Sequence, residues 1–456
     1  METIAAISTA YGLSGIGIIR ISGDQAINIA DKIFKSKNGK NLKSLDERKL
    51  NYGWIINPSN EEKVDEVLTV YMKKPYTYTK EDLVEINCHG GIVSLRKILD
   101  IILEENCRLA DRGEFTKRAF LNGRLDLTQA ESVMDIISSK TEKSMSLSID
   151  QLQGRLSKQV MQIVDDLIEL KAHLEVNIDF PEYDEEELTK EKIKEQAEIM
   201  KEKIEKLIST ADTGKIFKEG INTLILGKPN VGKSSLMNFL LNENRSIVTE
   251  VPGTTRDTIE EFVNLAGLPL NIIDTAGIRY TDDLVEKIGV QKAIDKIDDS
   301  DLIIMILDAS KELEKDDEII LENIKNKKVI YLMNKTDLDT KIDLSNHVEL
   351  EKETIKISLL RDEGLEEIEN KVKEEFLSGN IDTNKDLIVT NTRHKNLLKK
   401  ADKSISELLE GIELGLSLEC LEVDINDTIN HLGEITGSTV SESVIEKIFA
   451  NFCIGK

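Results

Sequence analysis

The stretch Gly227-Lys228-Pro229-Asn230-Val231-Gly232-Lys233-Ser234 follows the apolar run Ile221, Leu224, Ile225, Leu226 and leads into Leu236, Phe239 and Leu240 at helical spacing. That order predicts a strand, a glycine turn and a helix. A phosphate group needs several backbone N–H donors converging on it; Gly227 and Gly232 let the loop bend close, and the helix N-terminus adds its dipole. The expected cradle is Asn230, Val231, Gly232, Lys233, Ser234 and Ser235. Lys233 would reach the β- and γ-phosphates, and the Ser234 hydroxyl would bind Mg²⁺. Such a pattern occurs by chance in long chains, so its strand-to-helix setting matters.

Two further motifs follow, each at the end of a predicted strand. Asp274-Thr275-Ala276-Gly277 closes Leu270-Asn271-Ile272-Ile273, placing a carboxylate near Mg²⁺ and a glycine N–H where a γ-phosphate would sit. Asn334-Lys335-Thr336-Asp337 closes Val329 to Met333. The Asp337 carboxylate only accepts, so it suits guanine's N1–H and 2-amino group, which adenine cannot supply together. GTP is therefore expected rather than ATP. Between the phosphate loop and the first of these lies a switch-like loop, Thr249-Glu250-Val251-Pro252-Gly253-Thr254-Thr255, with Thr255 as a second Mg²⁺ hydroxyl. Directly after Gly277, where many GTPases place a water-orienting Gln, stands Ile278, so the attacking water must be held from elsewhere. An arginine to meet the negative charge on the transferring phosphoryl oxygens is also missing. The Asn230 amide oxygen and the carbonyl-rich stretch Thr249 to Thr254, with Thr249, Val251 and Thr254 as ligands, offer neutral oxygens suited to K⁺ in place of an arginine.

Around this centre the chain divides into an α+β part at residues 1–118, a helical part at 119–215, a doubly wound α/β part at 216–376 and a second helical part at 377–456. In the first, Gly17 to Ile21 reads as a strand, Ile27 to Ile33 as a helix and Leu83 to Ile86 as a strand ending exposed at Asn87-Cys88-His89. Arg20 and Glu85 read as solvated charges. Ile149, Leu152, Leu156, Val160, Ile163, Leu167, Leu170 and Leu174 predict one long amphipathic helix, broken at Phe180-Pro181, with Ile193 to Leu207 building a returning helix. Leu302 to Leu307 and Val329 to Met333 read as strands buried on both faces of a parallel sheet.

The 456 residues suffice for about three domains. A net charge of −25 is opposite to the footprint of a protein that grips nucleic acid by itself. Cys88, Cys107, Cys420 and Cys453 form no C-x-x-C pair, against a zinc site or disulfide framework. The start METIAAIST has no leader pattern and no run of about 18 apolar residues occurs, so a cytoplasmic chain without membrane contact is expected.

GKPNVGKS, VPGTTRD, DTAG, NKTD and the C-terminal FCIGK, in that order, with GIGIIRISG, HGG and RAFLNGRLDL before them, resemble the tRNA modification GTPases called MnmE or TrmE over the whole chain. The resemblance implies an N-terminal tetrahydrofolate-binding domain, a helical domain split by the GTPase domain, and a homodimer. It also implies a heterotetramer with an FAD-dependent partner of the MnmG (GidA) family. The implied activity installs a carboxymethylaminomethyl or aminomethyl group on carbon 5 of the wobble uridine of certain tRNAs. The one-carbon unit would come from 5-formyltetrahydrofolate or 5,10-methylenetetrahydrofolate. Carried over by position, Arg20, Glu85, Arg124 and Lys456 would contact the folate, Glu286 would hold the attacking water, and the Cys453 thiol would be needed for modification. Position 124 commonly carries Lys in the family, a change that alters contact geometry but not charge. Ser358-Leu359-Leu360 departs from the usual Ser-Ala-Lys/Arg loop behind the base. A ribosome-assembly GTPase is the alternative; it should add a basic RNA-binding module or a second phosphate loop, and this acidic chain has neither. A folate-binding aminomethyltransferase would need no GTPase part.

Overall fold

The computed structural model describes residues 1–179, 186–243, 261–273, 296–345, 348–377 and 386–456. Its first part is a seven-stranded sheet in the order β3-β4-β5-β6-β2-β1-β7. The strands are β1 (Ile4–Ile7), β2 (Ser14–Ser22), β3 (Phe34–Ser36), β4 (Asn51–Ile56), β5 (Lys63–Met72), β6 (Leu83–Gly90) and β7 (Arg108–Leu109). Only the short pair β1 and β7 is parallel, as expected where most connections are tight. Helices α1 (Ala26–Ile33) and α2 (Ile92–Glu104) cover one face, burying Ile29, Ile33, Ile98 and Ile102 against Ile19, Ile21 and Ile86. Strand β6 does not end exposed at Cys88: it pairs with β2 through Gly90, Cys88 is buried with its thiol pointing to the Gly17 carbonyl, and burial pushes that thiol up to about 12. His89 is the exposed residue, hydrogen bonded to Asp65.

The helical part follows through α3 (Glu114–Leu121), α4 (Leu127–Ser138), α5 (Glu142–Leu152), α6 (Arg155–Asp179) and α7 (Glu186–Glu219). The apolar period over Ile149 to Leu174 predicts one helix, but there are two. Gly154, at φ +76°, turns the chain between α5 and α6, a backbone state that glycine adopts without a Cβ penalty. Ile149 is left outside the seam that starts at Leu156. That seam and Ile193, Ala197, Met200, Ile204 and Leu207 of α7 pack with the helices Thr392–Glu413 and Leu418–Thr436 into a four-helix core. Phe180 and Pro181, assigned the break after α6, lie outside the described residues.

From Gly220 the chain enters a six-stranded sheet in the order β13-β12-β11-β8-β10-β9. These are β8 (Ile221–Leu226), β9 (Glu261–Leu265), β10 (Leu268–Ile273), β11 (Leu302–Asp308), β12 (Val329–Asn334) and β13 (Ile355–Lys356). Every pairing is parallel except the hairpin of β9 with β10, which leaves an antiparallel edge. Separate apolar cores lie on the two faces, around Ile304 and Ile306 on one and Ile303 and Met305 on the other, so β11 is buried throughout. This is the doubly wound arrangement that continuous apolar strands require. No described helix is long and apolar enough to cross a membrane.

A buried polar cluster ties the two stretches of the helical part together. Arg393 donates to both Glu131 oxygens, at 2.9 and 2.7 Å, and His394 Nε2 lies 2.7 Å from Glu131 Oε2. Burial works against a charged Glu131, but His394 and Arg393 outweigh it and hold the carboxyl down to about 2. The folded value lies below the ordinary 4.5, so this contribution to stability is complete above pH 4.5 and is lost as the pH falls through about 2. Glu131→Gln should therefore destabilise the chain at pH 7 by about 1–3 kcal/mol, because the half-buried Arg393 guanidinium loses its counter-charge and a charge-assisted pair of hydrogen bonds. It should also flatten the acid limb of the stability curve, both read by denaturant titration across pH.

Candidate functional site

Two sites are built from separate parts of the chain. The first is the loop between β8 and α8 (Lys233–Glu243). Gly227 has φ +148°, and a Cβ there would stand 2.6 Å from the Ile306 carbonyl oxygen, so no side chain fits. Asn230 also takes a left-handed conformation, φ +62°. Around the loop the carbonyls are claimed by side chains. Lys233 Nζ donates to Gly227 O at 2.7 Å and to Lys228 O at 2.8 Å; Lys335 Nζ donates to Asn230 O at 2.8 Å; Asn334 Nδ2 donates to Val231 O at 2.8 Å. A trans peptide points its N–H opposite to its C=O. Holding the Asn230 and Val231 carbonyls turns the N–H groups of Val231 and Gly232 toward the cavity that a phosphate would fill, whereas Pro229 after Lys228 has no N–H to offer. Ser234 and Ser235 stand exposed in the first turn of α8.

The base-side motif is assembled at the ends of β12 and β13. Asn334 is buried, and its Oδ1 accepts from Leu359 N at 3.3 Å while its amide reaches the phosphate loop. Lys335 is clamped between Asn230 O and Asp308 Oδ2, the latter at 2.6 Å. Asp308 at the end of β11 is a buried carboxylate that the motifs did not reveal, since nothing local marks it apart from its place at a strand's end. Asp337 accepts from the buried Ser358 hydroxyl at 2.7 Å, and that bond holds its carboxyl below the ordinary carboxylate value. The Ser358-Leu359-Leu360 loop thus keeps the serine contact despite its unusual second and third residues, with Leu360 largely exposed. Thr249, Glu250, Val251, Pro252, Gly253, Thr254, Thr255, Asp274, Thr275, Ala276, Gly277, Ile278 and Glu286 lie outside the described residues.

The second site lies on the N-terminal sheet. Arg20 and Glu85 are cross-strand partners on β2 and β6, and the guanidinium donates to Glu85 Oε1 at 3.0 and 2.8 Å. They are a half-buried pair rather than two solvated charges. Arg20 stands over the rings of Tyr78 and Phe115 at 5.4 and 5.6 Å, and Arg124 lies 4.6 Å from the Tyr78 ring centre. Tyr78 and Phe115 escaped the sequence reading, because only the sheet brings two distant aromatics beside one arginine. The last residues join them. Phe115 N donates to Lys456 O at 3.2 Å, Gly113 N to Cys453 O at 3.2 Å and Ser8 Oγ to Gly455 O at 3.0 Å, while Ile454 pairs with Arg112. The helix Glu442–Phe449 packs through Ile445 and Phe449 on Leu127, which orients this tail. Cys453 remains exposed. Phe115 is fully buried and only backs the guanidinium, whereas the half-buried Tyr78 ring between Arg20 and Arg124 suits a flat heteroaromatic ligand bearing carboxylates.

Residues 3–124 match the family model described as GTP-binding protein TrmE N-terminus, and residues 127–453 match the MnmE helical domain. The chain is 52% identical over 457 residues to the tRNA modification GTPase MnmE of Alkaliphilus metalliredigens, covering 100% of this chain and 99% of that one. It is 51% identical over 458 residues to the protein of the same name from Clostridioides difficile, with the same coverage. Part of the chain is similar to a solved structure of Era in complex with MgGDPNP and a stretch of 16S ribosomal RNA, at 28% identity, covering 40% of this chain and 66% of that one. The TM-score there is 0.26, too low to bear on function.

The serine contact to Asp337 has a measurable consequence. Ser358→Ala removes the hydrogen bond that orients the Asp337 carboxylate, the acceptor expected for the base, so the KM for GTP should rise about fivefold with kcat unchanged. Steady-state phosphate release over a GTP concentration series reads both values.

Proposed function

The chain belongs to the MnmE family of tRNA modification GTPases, and from that premise we propose that it hydrolyses GTP while serving the modification of carbon 5 of the wobble uridine of certain tRNAs. The observation that carries the GTPase half is the loop whose carbonyls are hydrogen bonded by Lys233, Lys335 and Asn334, next to an Asp337 fixed by Ser358. The binding residues are Asn230, Val231, Gly232, Lys233, Ser234 and Ser235 at the phosphates and Asn334, Lys335 and Asp337 at guanine, completed by Thr249 to Thr255 and Asp274 to Gly277. Mg²⁺ would be held by Ser234 and Thr255. Lys335 engages the Asn230 carbonyl, and the exposed Asn230 side-chain amide would be a K⁺ ligand with Thr249, Val251 and Thr254. K⁺ supplies positive charge near the phosphoryl oxygens, and Glu286 orients the attacking water.

At the second site Arg20, Glu85, Arg124 and Lys456 would hold 5-formyltetrahydrofolate or 5,10-methylenetetrahydrofolate, with Tyr78 beside the ring and the buried Phe115 behind Arg20. The docked tail supports a role for Cys453 there, since its carbonyl is fixed by Gly113 and its thiol is left accessible. The reading includes a homodimer working with an FAD-carrying partner of the MnmG family, tRNA being the substrate of that complex.

The test of the function is nucleoside analysis of tRNA from cells whose chromosomal copy carries Cys453→Ser. GTP hydrolysis by the purified variant should be retained and the modified wobble uridine lost; a normal nucleoside profile would remove Cys453 from the chemistry. Arg20→Ala should weaken 5-formyltetrahydrofolate binding at least about tenfold by calorimetry, as expected for the loss of a charge-assisted bond, and unchanged affinity would reject the folate assignment. Turnover in matched KCl and NaCl separates the cation role from the general base. K⁺ should stimulate wild type several-fold over Na⁺, and Glu286→Ala should bind GTP normally yet hydrolyse it at least about 100-fold more slowly. Equal rates in the two salts would eliminate K⁺, and near-normal turnover by the variant would eliminate Glu286.

A further inference from the structure

Lys228 stands inside the phosphate loop at a position for which the motif specifies no residue type. Its ammonium reaches the helix Lys315–Ile324 and its preceding turn, 2.6 Å from Asp317 Oδ2 and 3.3 Å from Glu314 Oε2. The closer contact is largely out of water: the Lys228 side chain is 12% exposed and that of Asp317 3%. Asp317 Oδ2 also accepts from Glu314 N at 3.1 Å, whereas its Oδ1 is buried without a hydrogen-bond partner among the described residues. If Lys228 left, a buried carboxylate would lose its counter-ion, which makes departure costly. Burial alone would lower the Lys228 ammonium, but Asp317 and Glu314 outweigh it and raise the group above the ordinary lysine value.

The same residue meets Lys233 through its main chain. Lys228 O and Gly227 O receive the Lys233 ammonium at 2.8 and 2.7 Å. A continuous series of contacts therefore runs from Asp317 to the Lys228 side chain, along the Lys228 backbone to its carbonyl, and on to the lysine that faces the phosphates. Lys335 and Asn334 hold the other half of the loop, at Asn230 and Val231, from the base side. The first half is held by Lys233 at its carbonyls and tethered to Asp317 through the Lys228 side chain.

We propose that Lys228, anchored by Asp317, is a positioning residue for GTP binding: it fixes the carbonyls that hold Lys233, so the phosphate loop is formed before the nucleotide arrives. The proposal rests on the reading of this chain as a GTPase. Without the anchor the loop must be ordered on binding, and that cost falls on affinity for the phosphates. Once GTP is seated the same contacts form, and the chemical step is little changed.

The experiment uses the full chain with Lys228→Met, Asp317→Asn and Lys228→Arg. Lys228→Met and Asp317→Asn should each raise the KM for GTP at least about tenfold, with kcat per bound nucleotide within about twofold of wild type. The stoichiometry of bound fluescent GDP analogue at saturation corrects for any unfolded fraction. Lys228→Arg, which keeps the charge, should stay within about threefold of wild type in KM. Calorimetry with guanosine, which lacks phosphates, should give the same affinity in all four proteins. Unchanged KM in Lys228→Met and Asp317→Asn, a fall in kcat alone, or equal weakening of guanosine and GTP would each overturn the proposal. Absence of GTP turnover in wild type would instead overturn the GTPase reading on which it stands.

Discussion

The phosphate loop depends on a constraint that its own sequence cannot satisfy. A turn that offers N–H groups to an anion must send its carbonyls the other way, and carbonyls without partners would let the turn collapse. Here Lys233, Lys335 and Asn334 take them, and the last two come from the end of β12. Strand β12 is held parallel to β11, which is itself parallel to β8, so the order of the sheet delivers those side chains to the loop. Asn334 and Lys335 at the end of β12 and the backbone of the glycine loop are thereby one hydrogen-bonded unit. Asp308 completes it by holding the Lys335 ammonium, and burial of that carboxylate is tolerated because the lysine and Ser310 satisfy it.

The N-terminal site obeys a different constraint, closure of the chain on itself. The final residues lie along the start of the first sheet, with Gly455 so near Ile7 that a Cβ would stand 2.3 Å from its carbonyl oxygen. The helix that leads into this tail packs on α4 through Leu127, Ala130, Ile445 and Phe449. The other end of α4 faces the nucleotide part: Asp135 pairs with Lys218 in the last turn of α7, and Lys140 just beyond α4 donates to Asn271 on β10. The helical part thus touches both sites, and the Glu131 cluster holds its two sequence-distant stretches in one piece.

The nucleotide site was legible in the sequence because its chemistry is local. A strand, a glycine turn and a helix lie within one short stretch, and the apolar runs Leu302 to Leu307 and Val329 to Met333 announce buried parallel strands through composition alone. The motif order, and the grouping of Arg20, Glu85, Arg124 and Lys456, were legible through resemblance. Less legible were features set by single conformations. Helical period continues across Gly154 although the backbone turns there, and Cys88 reads as a strand end although β2 supplies pairing partners up to Gly90.

By itself the sequence determined the doubly wound class of the nucleotide part, the preference for a guanine nucleotide and the amphipathic seams of the bundle, since each depends on neighbours within a few turns of chain. Tertiary structure alone decided which groups satisfy one another across long separations. It placed Arg20 between Glu85, Tyr78 and Phe115, brought Lys456 to Phe115, joined Lys228 to Asp317, and set Ser358 on Asp337. A charge or hydroxyl in a sequence has no partner until the fold removes water from around it, so these pairings are properties of the packed chain.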